Sequence, residues 1–272
     1  MQRICFFGLG EAGSRMAADL SASGVPVIGF DPAPVPTPPG VVRAHDPVTA
    51  VEGATVVIAI TAATDAQGAL EQALAAIPPF LQYADFSTAA PHLKRALSTS
   101  AVGAGLRFTD VALMGTVAGR GITTPALASG PDAEALADTM RPLGMELRVV
   151  GAAPGMAATH KLLRSVAVKG LTAVVIECMN AAHQAGLADE TWANIAAQIT
   201  SADEEFLRRL VEGAGRHAQR RGVEMEAACE LLADLGVAPL LTRATVTSLH
   251  AVAEQGVPEL PERKEGMADA NE

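Results

Sequence analysis

The chain has 272 residues, enough for one large or two modest domains with proper cores, so it needs no disulfide staples or structural metal. A net charge of −10 and an aromatic content of 3% argue against nucleic acid as the main partner, which calls for a basic surface and stacking platforms; a small molecule is expected instead. Three separated cysteines, Cys5, Cys178 and Cys229, and apolar runs too short for a signal segment or a membrane span point to a reducing, cytoplasmic setting without a membrane partner.

Residues 3–7 read as a short buried strand that runs straight into Gly8-Leu9-Gly10-Glu11-Ala12-Gly13, after which Met16, Ala17 and Leu20 recur at helical spacing. In this arrangement the first glycine permits a tight turn, the second lets the backbone approach a pyrophosphate, and the third allows close helix packing. The helix N-terminus adds N–H donors and a partial positive charge. A second strand over residues 25–30 ends at Asp31, about twenty residues beyond the glycines, where a carboxylate accepts hydrogen bonds from an adenosine ribose. No arginine follows Asp31 closely in sequence, so NAD is preferred, with NADP possible.

Residues 32–39 alternate proline with small residues and read as a solvated, extended loop. Asp46-Pro47 has the chemistry of a helix N-cap and first helical position. Strands are expected over residues 55–60 and 83–88, bringing Thr61 and Ser87-Thr88 to the carboxyl edge of a parallel sheet, where such sheets bind ligands. Three further strands are expected at 106–113, 125–129 and 146–150. The glycine-rich segment 114–121 reads as too flexible for the core. Either it offers N–H groups to a substrate carboxylate, helped by Thr116, Arg120 and Thr123, or it is a long hairpin connection.

Residues 156–186 read as one long helix, buried on most sides through Leu162, Leu163, Val166, Leu171, Val174, Val175, Ile176 and Met179. Lys161, Arg164, Ser165, Lys169 and Thr172 form a polar stripe along it, and charges there are costly unless they face a cleft or a partner. Only helical signals follow: Gly186 as a C′ residue, Asp189 as an N-cap, Ser201 with Glu204 as a capping box, helices over 206–211, 216–235 and 239–255, and Gly236 as a stop. The fold class is therefore α/β. A Rossmann-like doubly wound sheet in residues 1–153 is followed by an all-α domain in 154–257, joined by the long helix, and by a flexible tail in 258–272.

Together, the glycine fingerprint, Asp85-Phe86-Ser87-Thr88, residues 110–115 and the helix start at 155–161 resemble the β-hydroxyacid dehydrogenase family, relatives of 6-phosphogluconate and 3-hydroxyisobutyrate dehydrogenases. More narrowly, Gly10-Glu11-Ala12, Lys161-Leu162-Leu163-Arg164-Ser165 with Lys169-Gly170, and His217-Ala218-Gln219-Arg220-Arg221 resemble a poorly characterised branch whose helical C-terminal domain has no settled function. The resemblance implies a homodimer through the C-terminal helices, Lys161 as catalytic acid/base, the Ser87 hydroxyl near the nicotinamide, and Gly115 and Thr116 at the substrate carboxylate. Met114 stands where the family usually has serine. Ser165 and Arg164 stand where it usually has asparagine, which points to a substrate larger or differently charged than the family's simplest ones.

The expected reaction is hydride transfer between a nicotinamide and the carbinol carbon of a 3-hydroxyacid-like substrate. Lys161 takes or returns the hydroxyl proton, Ser165 orients the reacting groups and Arg164 binds a carboxylate. Partial burial and the cations Arg164 and Lys169 are expected to disfavour the charged lysine. His160 faces about 100° away around the helix, and no histidine pair has metal-ligand spacing, so no metal is expected. Two other readings stay open. One is an imine or enamine reductase on the same scaffold, against which the presence of Lys161 counts; the other is a non-catalytic sensor of NAD.

Overall fold

The structure, a computed structural model, describes residues 2–76 and 81–262. Residues 263–272, most of the expected tail, lie outside the described residues. The chain divides into two compact units, Met1–Ser165 and Val166–Glu272.

In the first unit the strands β1 (Ile4–Phe7), β2 (Val27–Phe30), β3 (Val42–Arg43), β4 (Val56–Ala59), β5 (Gln82–Asp85), β6 (Arg107–Leu113), β7 (Ala126–Ser129) and β8 (Leu147–Gly151) form one sheet. Their order is β3-β2-β1-β4-β5-β6-β7-β8. Every pairing is parallel except that of β6 with β7. The strand order reverses direction between β1 and β4, so a crevice opens beyond the carboxyl ends of these two strands.

Both faces of the sheet are covered, which is why β1 and β4 are continuous apolar runs rather than alternating ones. Successive side chains still point to opposite faces. Ile4, Phe6, Val56 and Ile58 enter one core cluster with Met16 and Leu20 of α1 (Glu11–Ala22) and Leu136 of α5 (Ala133–Met140). Cys5, Phe7, Val57 and Ala59 enter the other, with α2 (Pro47–Val51), α3 (Ala66–Leu74) and α4 (Pro91–Gly103). Burial pushes the Cys5 thiol far above its ordinary range, an inert packing role. Asp46 caps α2, its carboxylate accepting from the Thr49 N–H at 2.8 Å.

The segment 114–121 lies mostly outside the core, as expected, with Val117 and Gly121 as its buried residues. Val117 is buried in the first cluster with Ile122, and the Asp19 carboxylate of α1 accepts the Ile122 N–H at 3.1 Å. Two well-spaced apolar side chains and one acceptor are enough to seat a glycine-rich loop on a helix.

Helix α6 (Met156–Gln184) crosses the division between the units, and α7 (Ala188–Thr200), α8 (Glu204–Asp234) and α9 (Leu240–Gln255) belong to the second. The expectation that α6 is buried on most sides is overturned for the single chain. Leu163 is 67% exposed, Val166 74% and Ile176 56%, because the chain's own elements leave this surface open. Two capping expectations also change. The N-cap of α7 is Leu187, with Asp189 inside its first turn. Ser201 ends α7, donating to the Ala197 carbonyl, and Asp203 caps α8 by accepting the Phe206 N–H, being nearer to that helix start. Gly186 and Gly236 have φ of 72° and 73°, the left-handed conformation expected of helix stops. Helix α8 is kinked at His217, where φ is −128° and ψ is 19°. Among the described residues no helix is long and apolar enough to cross a membrane.

Helix α9 is capped from a distance. Glu177 of α6 accepts from the Leu241 and Thr242 N–H groups at 2.8 Å each and from the Thr242 hydroxyl at 2.7 Å. Burial alone raises this carboxyl, but the hydrogen bonds from Thr242, Leu241 and Leu240 outweigh it and hold the group below its ordinary range. Glu177→Ala is expected to destabilise the protein by about 1 kcal/mol, the usual cost of a lost cap. Because the folded value is depressed, that contribution is complete above the unfolded carboxylate's range and is lost as pH falls through the folded one. Melting curves of wild type and variant should therefore converge on acidification.

Candidate functional site

The glycine loop is shaped by collisions that any side chain would cause. Gly8 has φ of 100°, and a Cβ there would lie 2.4 Å from the Ile60 carbonyl oxygen; one at Gly13 would lie 2.1 Å from the Gly8 carbonyl oxygen. A Cβ at Gly10 would meet nothing within 4 Å. The first and third glycines thus pack strand, turn and helix together, while the second leaves open space at the start of α1. Gly10 is itself the N-cap of α1 and offers no side-chain cap, so the first N–H groups of that helix keep their donors for a ligand. The side chain of Leu9 is buried, and its N–H donates to Asp31 Oδ2 at 2.7 Å. Asp31 Oδ1 accepts the Ala33 N–H at 2.8 Å, which aims the carboxylate from the end of β2 toward the loop.

A cleft of about 470 Å³ opens beyond the strand ends and is lined by Gly8, Gly10, Asp31, Pro32, Thr61, Thr64 and Gln72 among others. It gathers four of the sequence-derived cofactor candidates: Gly8, Gly10, Asp31 and Thr61. Glu11 is exposed and Ala12 half-buried in the first turn of α1. Open space at Gly10, free helix donors and an aimed carboxylate at the end of β2 together fit a dinucleotide.

Ser87 lies elsewhere. It is buried, with its hydroxyl donating to Asp85 Oδ2 at 3.0 Å and its N–H to Asp85 Oδ1 at 3.1 Å. The next residue, Thr88, is exposed, and its hydroxyl oxygen is 3.1 Å from Lys161 Nζ. Of the two hydroxyls expected at this sheet edge, the one that meets the lysine is thus Thr88. Ser165, one turn along from Lys161, is half-buried, and Arg164, Gly115 and Thr116 are exposed.

Beneath this pair lies a charge cluster that sequence reasoning missed. Lys94 of α4 is fully buried, with Nζ 2.9 Å from Asp85 Oδ2, 3.0 Å from Asp110 Oδ1 and 2.9 Å from the Asp85 carbonyl oxygen. Asp110 Oδ2 accepts from the Gly155 and Ala158 N–H groups and the Ser129 hydroxyl at 3.1 Å each. Ser129 Oγ in turn accepts the Ala157 N–H at 2.9 Å. One ammonium faces two carboxylates, and the N–H groups at the start of α6, where the helix dipole is positive, add further compensation. The available signal was Lys94 sharing the buried stripe of α4 with Leu97 and Ala101.

Arg43 was also missed. It lies twelve residues after Asp31 but donates to that residue's carbonyl at 2.7 Å, and to the carbonyls of Ala33 and Val35 at 3.0 and 3.1 Å. Its guanidinium holds the proline-rich loop beside the end of β2. A second cavity, about 390 Å³ and mostly apolar, lies within the helical unit, lined by Val174, Cys178, Met225, Leu232 and Leu241 with Glu177 and Thr242 at its edge. Its lining lacks the convergent donors of the glycine cleft.

Residues 3–151 match the NAD binding domain of 6-phosphogluconate dehydrogenase. The chain belongs to that family. Residues 182–252 match a domain of unknown function, DUF1932. An uncharacterized 28.5 kDa protein of Methanothermus fervidus is 24% identical over 148 residues, and this match takes in 54% of the chain and 57% of that relative's length. A conserved protein of unknown function, described as structurally similar to 3-hydroxyacid dehydrogenases, is 27% identical with a TM-score of 0.58, over 94% of this chain and all (100%) of that one. An imine reductase from Myxococcus stipitatus in complex with NADP+ shares the fold at a TM-score of 0.80 and 17% identity, over 94% of this chain and 96% of that one. A variant of that enzyme in complex with NAD+ gives 0.77 and 16%, over 94% and 95%. The first unit is thus an NAD(P)-binding scaffold of the dehydrogenase and reductase type.

Gly8→Ala is expected to cost about 1–3 kcal/mol through backbone strain and to abolish dinucleotide binding with it. Gly10→Ala, with φ of −63° and open space around it, should leave the melting temperature unchanged while weakening NAD binding by about tenfold. Thermal melting paired with calorimetric titration of NAD separates the two.

Proposed function

We propose that the chain is an NAD(P)-dependent oxidoreductase moving a hydride between the nicotinamide and the carbinol carbon of a 3-hydroxyacid-like substrate. The observation that carries this reading is the Lys161 amine 3.1 Å from the Thr88 hydroxyl, just beyond β5, at the sheet edge that also bears the glycine loop. When bound, the nicotinamide supplies the hydride acceptor or donor. The chain does the rest. Lys161 takes the substrate hydroxyl proton in oxidation and returns it in reduction, while the Thr88 oxygen holds the amine and Ser165 orients the reacting oxygen. Arg164, with the backbone of Gly115 and Thr116, receives a carboxylate.

Asp31 accepts the ribose hydroxyls, which favours NAD. The Arg43 guanidinium nearby does not by itself favour NADP, since three of its donors already serve carbonyls. In this reading residues 1–153 hold the cofactor and residues 154–257 carry the substrate side and pair two copies in the cytoplasm. Support for pairing comes from the open apolar surface of α6 at Leu163, Val166, Leu171 and Ile176. Val166→Glu with Ile176→Glu is expected to convert a dimer into monomers in sedimentation equilibrium. A wild type that sediments as a monomer would remove the pairing from the reading.

One observation favours a second reading. The overlay on an imine reductase, at a TM-score of 0.80, is better than that on the protein likened to 3-hydroxyacid dehydrogenases, at 0.58. The two readings part at Lys161, since reduction of an imine draws no proton from an alcohol. The test follows nicotinamide absorbance with NAD and NADP against panels of 3-hydroxyacids, sugar acids and cyclic imines, for wild type and Lys161→Ala. Oxidation of a hydroxyacid that falls by about 10²-fold or more in the variant, while NAD still binds, is the expected result. Imine reduction that survives the substitution would replace the first reading with the second, and firm NAD binding without turnover would point to a sensor.

A further inference from the structure

We infer that Lys94 is a positioning residue for the Thr88–Lys161 pair. It bridges Asp85 and Asp110 and so holds the turn that carries one partner against the helix start that carries the other. The inference rests on the reading of Lys161 as the acid/base.

The chain of contacts is continuous. From Lys94 one arm runs to Asp85, whose two oxygens hold the Ser87 N–H and hydroxyl, and the residue after Ser87 is Thr88. The other arm runs to Asp110, whose Oδ2 holds the Gly155 and Ala158 N–H groups; Ala158 lies three residues before Lys161 on the same helix. The two arms meet again at the hydrogen bond between Lys161 and Thr88. Helix α4, which carries Lys94, also abuts the start of α6. A Cβ at Gly155, where φ is 90°, would lie 2.8 Å from the Pro91 carbonyl oxygen. Stability alone would not call for this arrangement, because a buried ion cluster is often no better than apolar packing of the same volume. What the cluster supplies is direction: Lys94 donates to the Asp85 carbonyl and is ion-paired with both carboxylates, while Asp110 Oδ2 holds three donors, two of them N–H groups at the start of α6.

The test compares wild type with Lys94→Met, which removes the bridge, and with Ser129→Ala. The second variant keeps the ion cluster but deletes the hydroxyl that links Asp110 to the Ala157 N–H, so it remains informative where Lys94→Met fails to fold. Two readouts are taken. Reductive methylation followed by peptide mass spectrometry gives the labelling rate of Lys161 relative to exposed Lys169, and needs no turnover. Steady-state kinetics on the substrate found above give kcat and the KM for NAD. The labelling ratio should shift several-fold, and kcat should fall by up to about 10²-fold with the KM for NAD unchanged, as expected for a misplaced acid/base beside an intact cofactor site. Folded Lys94→Met protein with the wild-type labelling ratio and wild-type kcat would overturn the inference, as would a fall in kcat matched by an equal rise in the KM for NAD; where Lys94→Met does not fold, an unchanged Ser129→Ala protein overturns the Asp110 arm of it. If wild type turns over nothing, the oxidoreductase reading falls, and the labelling ratio alone decides whether Lys94 positions the pair.

Discussion

The ammonium of Lys94, held between Asp85 and Asp110 and away from water, is the interaction on which the first unit depends. Strands β5 and β6 each bring a carboxylate into the interior, two like charges that could not both persist there alone. Lys94 supplies one compensating charge, and the N–H groups at the start of α6 add further compensation. The sheet's carboxyl edge and the long helix are therefore joined by charge and hydrogen bonding, which have direction, rather than by apolar packing, which has little.

The same device recurs on a smaller scale. Asp110 caps α6 from a strand, Glu177 caps α9 from another helix, and Asp19 receives the N–H that begins a short turn after the glycine-rich segment. In each case a carboxylate far away in sequence satisfies backbone donors that the local chain leaves open. Such caps fix the angle at which an element leaves its neighbour as well as its end. Around the candidate site that matters more than the energy of a single hydrogen bond.

Much of the fold was legible because parallel strands buried on both faces read as unbroken apolar runs, and because glycines 8, 10 and 13 have a separate steric task each. What escaped had local patterns that looked ordinary. Strand β3 has two residues and an exposed Val42, too little for a period to register. Lys94 sits within the buried stripe of α4, and its partners lie nine and sixteen positions away on different strands, a pairing only the topology brings about. Ser87 and Thr88 are both expected at the sheet edge, and which of them meets the lysine depends on which way each side chain faces just past the end of β5. Helix α6 reads as buried on most sides from its apolar periodicity, but periodicity does not say whether the chain's own elements cover that surface.

Leu9, in the middle of the glycine loop, has its side chain pressed over Gly29 of β2, where an added Cβ would lie 2.9 Å from its methyl groups. With its N–H on Asp31, the residue is fastened at both ends by contacts within the protein. The crevice consequently meets a dinucleotide with its contour already set, and little of the association free energy is spent on ordering the loop. Discrimination between one nucleotide and another then rests on what the rigid rim can accept rather than on how far it can adapt.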